Sequence, residues 1–110
     1  MKKFIYDRNE IKDYKEFYER IYNDMDGKNM IDWENFEYLG YSADNLNEFL
    51  WYCHQDNFHI IFKNFDLEKI ENSETTKNYE NYQWKIIFTI LNDFVKDYPN
   101  NKVEYVNDKK

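Results

Sequence analysis

Cysteine occurs once in these 110 residues, proline once and glycine twice. With Cys53 alone, no intramolecular disulfide is possible, and the core must hold by packing. Two glycines cannot build a Gly-rich phosphate loop. So little turn punctuation predicts long elements and few tight hairpins. No stretch approaches the length needed to span a membrane. After Lys2 and Lys3 only Phe4-Ile5-Tyr6 precedes the next charge, too short for the core of a signal peptide. The expectation is a soluble, cytoplasmic protein. Basic residues are also scarce, 15 against 22 acidic ones, for a net charge of −7. That balance argues against direct binding of nucleic acid, which needs a basic footprint. It suits a basic protein partner, although many ordinary proteins are as acidic.

What the chain has instead is aromatic residues, 21% of the total. That is too many for a disordered chain, and Tyr and Phe must fill core positions that Leu and Val fill elsewhere. Residues 1–110 are long enough for one domain with one core, and neither a linker nor an internal repeat divides them.

The most informative stretch is Leu39 to Cys53. It reads as a loop running into a short helix over residues 43–54, with Ser42 placed to cap the N–H of Asp44 or Asn45. Leu46, Phe49, Leu50 and Cys53 form one apolar stripe at i, i+3, i+4 and i+7. Asp44, Asn47, Glu48 and Trp51 repeat that spacing on the other side. An aromatic residue between acids and an amide, turned from the core, is the pattern of a protein-binding surface. The competing reading puts Trp51 under a neighbouring loop and leaves the acids merely solvated. Cys53 on the apolar stripe reads as a buried thiol.

Elsewhere the pattern is regular. Lys2–Asp7 reads as a first strand. Asp13 and Glu16 resemble a capping box that starts a helix, and Tyr14, Phe17, Tyr18, Ile21, Tyr22 and Met25 supply its stripe. Gly27 sits where such a helix would end. The outer face of this helix, with Lys12, Lys15, Glu16, Glu19 and Arg20, reads as solvated. Residues 28–41 fit either an amphipathic turn or a packed loop. Phe58–Phe62 is an apolar run of strand type, suited to a central strand covered on both faces. Residues 66–77 form a polar connection with room for a helical turn. A long helix follows over about 78–97, with Trp84, Ile87, Phe88, Leu91, Phe94, Val95 and Tyr98 inward and Pro99 closing it. Lys102–Val106 alternates as a last strand. The order β-α-α-β-α-β predicts an α/β fold, a small three-stranded parallel sheet packed with three to four helices.

No catalytic constellation emerges. His54 and His59 are the only histidines, and their spacing fits neither a metal-ligand pair nor a triad. His59, within an apolar strand, reads as a satisfied core or edge residue. The calcium-loop pattern with its central glycine is absent. The expectation is a protein that is not an enzyme and needs no cofactor or metal.

Element order and the stretch Tyr41-Ser42-Ala43-Asp44-Asn45-Leu46-Asn47-Glu48-Phe49 together resemble the barstar family, bacterial intracellular inhibitors of barnase-type ribonucleases. The stretch is similar to that family's tyrosine, small residue, acid and Asn-Leu-Asp-Ala-Leu pattern. Phe58–Phe62 is similar to its central strand, and Phe88–Phe94 to the middle of its last helix. In the family, the loop and short helix plug the nuclease active site, with carboxylates in the place of substrate phosphate. The resemblance therefore implies partner-binding roles for Tyr41 ahead of the helix, Asp44 at its start and Asp93 on the last helix. Two positions depart from the family. Asn47 stands where an aspartate is usual, and Trp51 stands where the dominant helix acid would be. Glu48 is placed to supply charge from a neighbouring angle. The segment around 28–40 is also longer than in the short family members.

The expected function is an immunity- or antitoxin-type inhibitor that blocks a basic nuclease or toxin through residues 41–52. Partner-binding residues would be Tyr41, Asp44, Asn47, Glu48, Trp51 and Asp93. A non-inhibitory interaction domain with the same fold is the alternative. An acid–base or metal-dependent enzyme on the same acidic face is the third reading, and the oligomeric state is open.

Overall fold

The computed structural model describes residues 2–25, 41–53 and 57–107. Strand β1 (Lys2–Asp7) leads into helix α1 (Tyr14–Met25), and α2 (Ala43–Cys53) precedes the second strand, β2 (Phe58–Lys63). A short α3 (Leu67–Glu71), the long α4 (Tyr79–Asp97) and β3 (Lys102–Val106) complete the chain. The sheet has three strands in the order β1-β2-β3, and both pairings are parallel. This is the α/β architecture that the element order predicts. The readings of residues 28–40, Gly27, His54 and the Cys53 side chain fall outside the described residues.

Parallel strands in sequential order, joined by right-handed crossovers, send their helices to one face of the sheet. Burial agrees with that rule. Tyr6 of β1 and Phe58, Ile60 and Phe62 of β2 are buried, while their neighbours in sequence are half-buried or exposed. The central strand therefore alternates, rather than being covered on both faces as its apolar run suggests. Ile61 and His59 lie on the less covered side and are half-buried. His59 Nε2 lies 2.6 Å from Glu104 Oε1, and Lys102 Nζ reaches the same oxygen at 3.0 Å.

Aromatic rings dominate the core. Phe62 lies 4.8 Å from Phe88 between ring centres, Phe65 4.7 Å from Trp84, and Tyr6 5.0 Å from Phe17. Offset and edge-to-face pairs of this kind add to the gain from burial alone. Glu80 ties the first turn of α4 to α1. Its Oε2 accepts the Trp84 indole N–H at 2.7 Å and the Tyr14 backbone N–H at 2.6 Å. The indole is fully buried, so this carboxylate satisfies a donor that no solvent reaches.

Caps define the helix starts. Asp13 Oδ1 accepts the Glu16 N–H at 2.9 Å, and Glu16 Oε1 reaches back to the Lys12 N–H at 2.9 Å. The return bond therefore falls one residue earlier than in a standard capping box. Asn78 adopts φ 55°, in the left-handed region that asparagine tolerates, and its side chain caps Asn81. Buried Asn101 accepts the Phe58 N–H and donates to the Tyr98 carbonyl, joining the end of α4 to the start of β2.

Candidate functional site

Helix α2 begins as its sequence dictates. Ser42 Oγ accepts the Asn45 N–H at 3.2 Å, and the Ser42 carbonyl accepts the Leu46 N–H at 3.1 Å. Leu46, Phe49 and Leu50 are buried, and Phe49 stands edge-on to Tyr22 of α1 at 4.8 Å. The same helix packs along α4. Both contacts hold one side of α2 against the core and fix which side faces outward.

That outward side carries Asp44, Asn47, Glu48 and Trp51, all exposed. Trp51 keeps 58% of its surface accessible, which decides against the reading that buries it beneath a loop. Among the described residues, Asp44, Asn47 and Glu48 make no side-chain hydrogen bond or ion pair within the chain. Their charges and amide are therefore available to something else. An exposed indole beside two such acids joins contact area with charge.

Tyr41 lies just ahead of α2, within reach of α1. It is half-buried, and its hydroxyl donates to Glu19 Oε2 at 3.0 Å. Lys15 Nζ lies 5.6 Å from its ring centre, and the Tyr18 ring is 6.4 Å away. Tyr41 thus anchors the start of α2 to α1. The outer face of α1 is solvated as its sequence predicts, and from it Lys15 and Glu19 flank the entry to α2. Nothing in their spacing along α1 signals that role; the contact is made across 22 positions of sequence.

Asp93 is exposed on α4 and makes no hydrogen bond or ion pair among the described residues. No described contact joins its side chain to the α2 face. A separate cleft of about 500 Å³ opens beyond the carboxyl ends of β2 and β3, lined by Asn64, Phe65, Asp66, Tyr105 and Val106 among others. Its one carboxylate, Asp66, caps α3 by accepting the Lys69 N–H. A lone capping acid cannot divide acid and base roles between two groups. Among the described residues, no three His, Cys, Asp or Glu side chains gather as a metal site, and no helix is long and apolar enough to cross a membrane.

Comparison with protein-family models, with curated proteins and with solved structures returned no match.

Proposed function

We propose that this chain is an inhibitor of the immunity or antitoxin type, which blocks a basic nuclease or related toxin through α2 and the residues leading into it. The supporting observation is the outward face of α2, where exposed Trp51 stands beside Asp44, Asn47 and Glu48, whose side chains make no hydrogen bond or ion pair among the described residues. A cleft built to bind phosphate is positive, and an acidic helix face both steers toward it and competes for its cations. The net charge of −7 acts in the same direction. The resemblance of residues 41–49 to the barstar family supplies the substrate class of the target. Asp93 joins the proposal only as an outlying acid.

A non-inhibitory interaction domain is the second reading. It is favoured by Asn47 and Trp51, which replace acids at two positions of the resembled pattern and make the face more aromatic and less charged. An RNA-cleavage assay with a barnase-type ribonuclease as probe separates the two. Stoichiometric inhibition that weakens with salt supports the ribonuclease inhibitor. Undiminished cleavage with excess folded protein removes that target class and favours the interaction domain.

A further inference from the structure

The proposed role of α2 leaves the opposite resource of the fold, its open sheet edge, unexplained. Among the described residues, strand β1 pairs with β2 and with no strand on its other side. The Lys2 N–H donates to the Asn57 carbonyl and the Arg8 N–H to the Lys63 carbonyl. In a parallel ladder, alternate residues turn both peptide groups toward the same neighbour. Lys2, Phe4 and Tyr6 therefore face β2, while Lys3, Ile5 and Asp7 present theirs to the open edge. Among the described residues, only the Asp7 carbonyl of these is used, by the N–H groups of Glu10 and Ile11 in the following turn.

The same three residues carry a self-complementary side-chain pattern. They share the sheet face that the helices leave uncovered, and Ile5 there is 55% exposed. A two-fold axis normal to the sheet would set a second β1 antiparallel to the first. Centred on Ile5, that register opposes Ile5 to the partner's Ile5 and Lys3 to the partner's Asp7, on both sides of the axis. It also brings together the outward-turned peptide groups, which an antiparallel ladder requires. Shifting the centre to Lys3 or to Asp7 places like charges opposite each other, which destabilises a pair. One oxygen of Asp7, Oδ1, already accepts from Asn9 and Asn64. Its other oxygen makes no bond among the described residues, and with Lys63 its in-register neighbour on β2 it can also receive the partner's lysine. Ile61 is the in-register neighbour of Ile5 on β2, so the joined sheet would carry a continuous row of four isoleucines.

We propose that β1 is a homodimerisation edge: two copies of this chain pair antiparallel through Lys3–Asp7 and form one six-stranded sheet. Exposed edges of this kind are templates for strand addition, and here the charges select a second copy. The inference is independent of the role given to α2, and its test needs no nuclease.

The test is sedimentation of the full chain across micromolar to millimolar concentration, with amide hydrogen exchange at the two extremes. Dimer forms as concentration rises, and the Lys3 and Ile5 amides gain protection with it. Ile5→Lys replaces an exposed side chain, so the variant melts as the parent does but stays monomeric throughout. Lys3→Glu weakens the dimer by about three- to tenfold, and added salt recovers part of that loss. A chain that is monomeric at millimolar concentration overturns the proposal. So does a dimer that Ile5→Lys leaves intact, or one whose Lys3 and Ile5 amides exchange as fast as in the monomer.

Discussion

The hydroxyl of Tyr41 donates to Oε2 of Glu19 across 3.0 Å, fastening the segment that leads into α2 to the outer face of α1. With Ser42 capping Asn45, it sets where the helix starts and so where Asp44, Glu48 and Trp51 point. Tyr41→Phe removes this bond. Stability is expected to fall by about 0.5–1.5 kcal/mol, the usual net worth of one hydrogen bond. Glu19→Ala should match it, and the double variant should cost little more than either alone. Urea unfolding of the four proteins checks this cycle, and full additivity would show that the two groups do not interact.

Glu80 has a larger expected effect. Its carboxylate serves a buried indole N–H and a helix-start N–H together, and Arg8 reaches it only at 3.9 Å. Glu80→Ala leaves the Trp84 donor without its acceptor and should cost about 2–3 kcal/mol. Equilibrium denaturation of Glu80→Ala with a loss below about 0.5 kcal/mol would contradict this assignment.

Acid should weaken the fold through three carboxylates. Asp7 is held below its ordinary value by the Asn9 N–H and the Asn64 amide, and Glu16 by the Lys12 N–H and Arg20. Glu104 is lowered by Lys102 and then by His59. In each the fold favours the ionised form, so its contribution is complete above about pH 5 and fades as pH falls through the lowered value. The melting temperature should therefore drop from about pH 5 to about pH 3, and Glu104→Gln should flatten part of the slope. An identical slope in that variant would remove Glu104 from the account.

Alkali acts with the opposite sign. Burial pushes the Tyr105 hydroxyl up to about 12, and it raises Tyr6, Tyr18 and Tyr22 as well. Tyr6 is raised further by Asp24, whose carboxylate its hydroxyl meets at 2.9 Å. Neutral rings are favoured by the fold, so their contribution is complete below about pH 10 and is lost as pH rises beyond it. A spectroscopic titration should show these tyrosines ionising together with loss of ellipticity. Ionisation of all four within an intact fold would contradict their burial.

Much of this architecture was legible because its signals are local. The stripe from Tyr14 to Met25 has the helical period, Lys102–Val106 alternates, and Ser42 precedes its helix as a cap should. The exposed face of α2 could be read the same way, because burying Leu46, Phe49 and Leu50 turns Trp51 outward. What lay beyond reading was contact between distant segments. No local pattern brings Glu19 and Lys15 beside Tyr41. Phe58–Phe62 looks covered on both faces, since Ile61 is as apolar as Ile60 and only the placement of the helices separates them.

The outward face of α2 is proposed to bind and block a basic nuclease or toxin. The most direct test compares tagged parent with Asp44→Lys/Glu48→Lys/Trp51→Ala, each used to co-purify partners from the native host. Salt elution, mass spectrometry and a cleavage assay follow. The expected result is one basic nuclease or toxin on the parent, released by high ionic strength, inhibited by the parent and absent from the equally folded variant. Recovery of the same enzyme on the variant, or of no basic enzyme on either protein, would contradict it.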